Sequence, residues 1–418
     1  MKAIIAGAGI GGLTTALSLN KIGVQVKVFE SVSEIKPLGV GINVLPHASR
    51  ELIALGLKNE LDRFAIRTRS MQYFTRKGKR VISVPCGEYA GYHWPQYSLH
   101  RGEFQMMLVD ALRQRAGEDS VLTSHQFDQF EQDNNGVTAS FIDPVSGTVL
   151  KDESADILIG ADGLHSVTRR MLYPDEGKPI FAAMVCFRGA VEHNPYLDGE
   201  SMIIVGDKRL RLVSYPISET ARKDGTGHIN WIAAVPFESD NIQEENWTRE
   251  TSADKLLELY KDWQFDWLNV PGLISGTNNI FEFPVYDRDP LGQWTFGRVT
   301  LIGDAAHPLI PVSSSGAVHA IIDARALAYA LGKAGDPLEG LKSYEADRLP
   351  KANQVVLASR QNGPDEVLEI VKEECPEDAE DIYKHVPLSR LEKVIDDFKE
   401  RSGFAIETLN NLDAYDIQ

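Results

Sequence analysis

The apolar positions change period along the chain, and the changes mark its elements. Residues 3–6 form a short β-rich run. Leu13, Ala16, Leu17 and Leu19 then recur at helical spacing, and residues 24–29 read as a second strand. Residues 35–48 are a glycine- and proline-punctuated loop leading into a helix that carries Leu52, Ile53, Leu55 and Leu57. Residues 71–84 read as strands turning near Lys77-Gly78, a helix is expected around 103–115, and alternation over 121–150 predicts further strands. The run "DILIG" is a buried strand ending in a turn. From about 175 to 290 the pattern becomes strand-like, rich in β-branched and aromatic residues: "AAMVCFRGAV", "SMIIVG", "RLRLVSYPI", "HINWIAAVPF". "RVTLIGDAAH" returns to buried-strand character, and helices dominate from Gly316. Residues 365–418 read as helical and acidic, broken at Pro376 and Pro387.

The first strand–helix–strand unit carries chemistry. Gly7, Gly9 and Gly12 stand in the spacing GxGxxG, and Glu30 closes the second strand. Gly7 serves a tight turn, Gly9 lets a pyrophosphate approach the backbone, and Gly12 lets helix and strand pack closely. The helix N-terminus presents free N–H groups and a positive dipole end to phosphate. Glu30 would accept hydrogen bonds from ribose hydroxyls and repel a 2′-phosphate. Strand, helix and acidic end all agree on a nucleotide, and leave NAD and FAD open.

Composition narrows the setting. A chain of 418 residues has room for two domains, and 43% hydrophobic with 25% charged residues is ordinary for a globular protein. The net charge of −17 argues against nucleic acid and anionic membrane surfaces. Cys86, Cys186 and Cys375 share no metal or redox spacing, so reduced thiols, no metal site and a cytoplasmic location are expected. The apolar N-terminal run is used by the glycine motif, and no other run suits a membrane span.

Three strand ends carry polar or glycine-rich turns: residues 7–12, 160–163 and 303–304. Ligands of open α/β folds sit beyond such ends, and a cofactor reaching several of them is long, which favours FAD. The expected organisation is an α/β fold. A FAD-binding Rossmann-like (GR2-type) domain, residues 1–174, is interrupted by a mostly antiparallel β-sheet substrate domain, 175–290. It is completed over 291–360 and followed by a helical C-terminal segment, 361–418.

With "GAGIGG" and Glu30, "GADGLHSVTRR" and "LIGDAAHPLIP" in that order, the sequence resembles the single-component FAD-dependent aromatic hydroxylases of the para-hydroxybenzoate hydroxylase fold. Over about residues 1–360, "PLGVGINVLP", "YSLHRGEFQ" and "PVYDRDPLGQWTFGRVTLIGDAAH" are most similar to its phenazine-hydroxylating members. The resemblance implies a flavoprotein monooxygenase. NADH or NADPH would reduce the flavin, and O2 would add to give a flavin hydroperoxide that hydroxylates a small aromatic or N-heteroaromatic substrate. Gly7, Gly9, Gly11, Gly12 and Glu30 match positions that hold the adenosine diphosphate, and Arg101 the arginine at the phosphate–ribose region. Asp162 and Gly163 match a turn facing both FAD and the nicotinamide, and Asp304 the aspartate on the ribityl chain. Gly316 and Ala317 match the helix start at the flavin pyrimidine edge; Gly41 and Pro311 complete the cofactor set. No catalytic side chain is implied, because the chemistry is flavin-centred.

Two departures qualify the carry-over. Ser313, Ser314 and Ser315 replace the family's glycine-rich run, and Val318 stands where it carries asparagine. Ser315 is suited to cap the following helix. His47, Tyr215, Ser314 and His319 are candidates for the substrate pocket, while His307 reads as a structural residue of its turn. Arg169 and Arg170 read as a solvated helix face, and "DWQFDW" as packing. Competing functions on the scaffold are a flavoprotein oxidase or reductase, an uncoupled NAD(P)H oxidase, and a non-catalytic FAD-binding protein.

Overall fold

The computed structural model describes residues 1–37, 39–236, 252–311, 315–361 and 363–416. Its first layer is a five-stranded parallel sheet in the order Val299–Leu301, Ile157–Gly160, Lys2–Ala6, Gln25–Phe29, Val121–Leu122. These strands are almost wholly buried, as parallel strands covered on both faces must be. Register places the turns. Ala6 pairs with Gly160 and with Phe29, and Gly160 with Leu301, so three strands distant in sequence end in one row. The backbone continues the row: Ala161 N–H donates to Ala6 C=O, Ile302 N–H to Gly160 C=O, and Gly7 N–H to Phe29 C=O. The glycine-rich turns therefore emerge side by side along one edge.

Two close approaches hold that edge. Gly7 has φ +102°, and a Cβ there would lie 2.5 Å from the Ala161 carbonyl oxygen. A Cβ on Gly12 would lie 2.0 Å from the Gly7 carbonyl oxygen, so helix Ile10–Lys21 starts against its own turn. Helix Gly316–Lys333 packs on the same helix, with Ala320 filling the space beside Gly11 and Gly303.

The second layer is a seven-stranded sheet: Phe281–Asp287, Ile180–His193, Gly227–Pro236, Arg211–Pro216, Met202–Gly206, Ser70–Phe74 and Arg80–Pro85. It is antiparallel except where Met202–Gly206 runs parallel to Ser70–Phe74. Two of its strands thus come from the chain before the main β-rich segment. One face buries Trp231 with Leu256, Tyr260 and Trp263, and Phe265 and Trp267 of "DWQFDW" pack against that cluster. The opposite face meets the C-terminal helices Glu366–Glu374 and Leu388–Arg401, whose Val367, Leu368, Leu391 and Ile395 bury against Tyr73, Val81 and Ile204.

A small sheet of Gly41–Val44, Tyr97–His100 and Ile66–Arg67 lies between the layers and pairs Gly41 with His100. The helix expected through Leu57 stops at Ala54, because Gly56 turns the chain at φ +77° before helix Lys58–Phe64. The C-terminal segment is tied back to the first layer. Arg50 donates to the Leu412 carbonyl at 3.0 Å, Arg325 to the Tyr415 carbonyl at 2.5 Å, and Tyr92 to the Phe404 carbonyl at 2.6 Å. Among the described residues no helix is long and apolar enough to cross a membrane.

Gly12→Ala is expected to destabilise the protein by about 1–3 kcal/mol, the usual penalty of overpacking. Thermal denaturation checks this, and an unchanged midpoint would show that the turn relaxes freely.

Candidate active site

The first turn leaves backbone at its helix start without a side-chain cap. Helix Ile10–Lys21 has no side-chain cap at Gly9, so its first amides take no bond from that residue, and nothing lies within 4 Å of where a Gly9 Cβ would be. Glu30 is folded onto this turn: Oε2 accepts from Ala8 N–H at 2.8 Å and Oε1 from Val32 N–H at 3.1 Å. Gln105 steadies the turn from outside by donating to the Ala8 carbonyl at 2.8 Å, a contact the motif spacing did not reveal.

Arg101 opens helix Arg101–Ala116, and its amide donates to the Val40 carbonyl at 2.9 Å. Asp304 sits in the third turn. Both side chains are exposed to water, yet burial lowers the Arg101 pKa against the pull of Asp304 and raises that of Asp304 against His307 and Arg101. Exposure combined with desolvation describes two opposite charges in a deep cleft. The Gly316 Cα direction also points at Asp304, whose Oδ1 would be 3.8 Å from a Cβ there. The start of the 18-residue helix Gly316–Lys333 thus meets the same cleft, with Ala317 next in line.

Asp162 is turned inward. It accepts from Ser166 Oγ at 2.5 Å, Thr168 N–H at 2.9 Å and Thr168 Oγ1 at 3.0 Å, and burial raises its pKa against these bonds. What its turn presents outward is backbone at Gly163, φ +77°, with open space beside it.

Behind the third turn lies a buried ion cluster. Asp323 accepts from Gly303 N–H at 3.1 Å, contacts His307 Nε2 at 2.5 Å and accepts from Arg348 Nε at 2.9 Å. Burial alone would raise the Asp323 carboxyl; His307 and Arg348 outweigh it and hold the group below the usual carboxylate range. His307 is therefore structural to its turn. Arg169 corrects its expectation: it is buried rather than solvated, donates to the Ala305 and Ala306 carbonyls at 3.1 and 2.9 Å, and pairs with Glu176. Arg170 remains exposed.

Beside the cleft, a cavity of ≈ 1230 Å³, mouth included, runs between the seven-stranded sheet and the C-terminal helices. Pro311 borders it and links it to the third turn. Sulfur-bearing Met71, Met184, Met202, Cys86 and Cys186 line much of it, and its charged groups among the described residues are Arg188, Arg211, Asp365 and Lys399. Strand alternation in "MVCFRG" and "RLRLV" was the available signal: Cys186 and Arg188, like Arg211 and Val213, share a face.

The histidine and tyrosine candidates lie elsewhere. Tyr215 is buried against Gly41, whose Cβ would come within 2.5 Å of its ring, and Gly41 N–H donates to Asn230. His47 stacks on Phe404 at 5.2 Å and meets His319 edge-on at 6.0 Å; His319 Nδ1 lies 3.2 Å from Arg348 Nη2. These three do not border the cavity; they support the walls around it. Ser314, with Ser313, lies outside the described residues. Ser315 has φ −87°, so it bears no left-handed strain, and its side chain makes no hydrogen bond to the amides of its helix, contrary to the expected cap.

Three glycine turns thus lie on one edge, with Arg101 and Asp304 near them and a cavity beside the third. A family model described as FAD binding domain matches residues 1–255 and 283–359. The chain is 43% identical over 360 residues to phenazine 1,6-dicarboxylic acid hydroxylase of Lysobacter antibioticus, covering 85% of this chain and 88% of that protein. It is 30% identical over 371 residues to 6-hydroxynicotinate 3-monooxygenase of Pseudomonas fluorescens, covering 86% and 90%. The crystal structure of Klebsiella pneumoniae HpxO complexed with FAD and uric acid superposes with a TM-score of 0.74 at 25% identity, covering 98% of this chain and 96% of that one. The chain belongs to the FAD-dependent monooxygenases that hydroxylate aromatic and heteroaromatic rings.

Glu30→Arg and Asp304→Ala are each expected to purify with much less flavin, read from the visible absorbance of the isolated protein. Normal flavin content in both variants would remove these residues from the cofactor site.

The buried histidines predict a pH dependence. Burial, with Arg50 and Arg348 nearby, pushes His47 down to about 3 from 6.5. The unfolded chain then binds the extra proton, so stability is complete above pH 6.5 and falls as pH drops toward 3. The loss is about 1.4 kcal/mol per pH unit for one such group. Denaturant unfolding across this window should show a shallower pH slope for His47→Gln than for the wild type.

Proposed function

We propose that FAD lies along the three turns and that the adjoining cavity holds an aromatic or N-heteroaromatic carboxylic acid. The Gly9 and Gly11 amides would meet the pyrophosphate, with Gly7 and Gly12 permitting the approach. Glu30 would take the ribose hydroxyls, and Arg101 would neutralise phosphate charge. Asp304 would hold the ribityl chain, with Gly41, Asp162, Gly163 and Pro311 bounding the remainder. The amides of Gly316 and Ala317 would face the flavin pyrimidine edge, where a helix N-terminus favours negative charge by about 0.3–2 kcal/mol.

The bound flavin supplies the redox and oxygen chemistry, with NADH or NADPH as reductant and O2 as oxidant. The chain's own residues bind, orient and exclude water. Pro311, which follows the third turn in the chain, borders the cavity, and this adjacency is the observation that carries the reading. The polarizable thioethers of Met71, Met184 and Met202 suit an aromatic ring. Three cations against one carboxylate in the lining give it a net positive character, which suits an acid. Names of relatives point the same way: phenazine 1,6-dicarboxylic acid, 3-amino-4-hydroxybenzoate and 6-hydroxynicotinate are all carboxylated rings. The three unpaired cysteines support a reducing, cytoplasmic setting.

A panel of aromatic and N-heteroaromatic acids should accelerate NAD(P)H oxidation, with one oxygen atom added to the ring by mass spectrometry. If every compound yields only hydrogen peroxide, this substrate class is wrong.

A further inference from the structure

Three of the chain's seven methionines border one cavity. Met71 and Met202 are register partners on the parallel strands Ser70–Phe74 and Met202–Gly206, so they share a face of the sheet. Met184 comes from strand Ile180–His193 and packs with Cys186 and Phe283. Met71 and Met184 are half-buried, and Met202 is buried. The other four stand apart. Met1 and Met171 are on the surface, at 43% and 38% exposed, and Met106 and Met107 lie on helix Arg101–Ala116.

With Cys86 and Cys186, five sulfur-bearing residues border this chamber, and an oxidant meets two kinds of sulfur there. A cysteine reacts as its thiolate. Burial pushes the Cys86 thiol up to about 12 and raises that of Cys186, and Cys86 Sγ donates to the Val84 carbonyl at 3.7 Å. Both thiols therefore stay protonated near neutral pH and react poorly. A thioether has no proton to lose, so its oxidation to a sulfoxide does not wait on ionisation. The half-buried Met71 and Met184 are left as the reactive sulfurs of the cavity.

We propose that Met71 and Met184 are a modification site for hydrogen peroxide made beside them, and that their oxidation lowers the affinity of the cavity for aromatic rings. The oxidant comes from unproductive turnover: NAD(P)H, a proton and O2 give NAD(P)+ and hydrogen peroxide when no ring is hydroxylated. An S–O bond then forms as the O–O bond of the peroxide breaks. Sulfur gives up two electrons, one oxygen stays as the sulfoxide, and the other leaves as water. The new group is polar, while Ile204, Val213 and Ala234 of the same lining offer it no hydrogen bond, so an apolar seat for the ring is lost. Ring binding falls with unproductive turnover and recovers when a sulfoxide reductase removes the oxygen. The inference rests on the flavin lying beside this cavity.

The test uses flavin-loaded protein with NAD(P)H and air, no aromatic acid, and catalase in the medium, followed by peptide mass spectrometry. Met71 and Met184 should each gain one oxygen atom while Met171 stays unmodified, because catalase clears peroxide from the bulk. Hydrogen peroxide added without NAD(P)H or catalase should reverse the order, with the exposed Met171 ahead. Phenazine 1,6-dicarboxylic acid, titrated against the flavin absorbance, should bind the oxidised protein about tenfold or more weakly than the untreated one. Sulfoxide reductases for both epimers should restore the affinity. The double variant Met71→Leu/Met184→Leu should show the same affinity before and after turnover. Under catalase, oxidation of Met171 first, oxidation of either cysteine ahead of the methionines, or no oxygen on Met71 and Met184 would each overturn the proposal. Unchanged affinity after both methionines are oxidised would do the same. If the untreated protein does not bind the acid, the substrate reading fails, while the oxygen count on Met71 and Met184 still decides the modification.

Discussion

A single buried carboxylate, Asp323, fixes the geometry on which the site depends. It takes the Gly303 amide, the His307 ring and the Arg348 guanidinium, and thereby joins the third turn, the helix that carries it and the long helix Pro337–Ser359. An isolated carboxylate at zero exposure would be strongly unfavourable; with three donors around it, the site becomes a rigid joint. Removing one partner leaves the other charges buried and unmatched, a loss typically about 3–5 kcal/mol. The turn bearing Asp304 is held from behind by this joint and from the side by Arg169, so its outward face stays free for a ligand.

The shared edge of the three turns was legible in the sequence because it is written in local signals. A GxGxxG turn, a buried strand and a closing acidic residue each act over a few neighbours, and parallel register then brings Gly7, Gly163 and Asp304 to one edge. The cavity was not legible in that way. Arg211 and Asp365 meet across 154 positions, and nothing near either residue announces the other. Arg169 misled for the same reason: its helix is short and basic, yet the Glu176 carboxylate and two carbonyls wait where solvent was expected. His47 and His319 drew attention as chemical groups, while burial lowers the pKa of both and places them behind the walls. Ser315 looked like a cap by type, but its helical φ and ψ turn the side chain away from that bond.

The cavity is a composite. Its floor is sheet, Pro311 contributes to one wall, and its roof is carried by Phe398, Lys399 and Phe404 of the C-terminal segment. That segment is fastened at both ends: apolar side chains clamp it to strands Ser70–Phe74 and Arg80–Pro85, and Arg50, Arg325 and Tyr92 hold its tail through main-chain carbonyls. Main-chain acceptors are indifferent to the side chains that flank them, so the fastening tolerates sequence change in a way that a side-chain pair does not.

This fastening makes the roof a replaceable part. Residues 363–416 join the rest of the chain at one covalent point, contribute one face of the cavity, and carry none of the three turns. Substitution in that stretch would reshape the cavity and leave the three turns untouched. The protein thus separates the part of its surface that is free to diversify from the part that is held fixed.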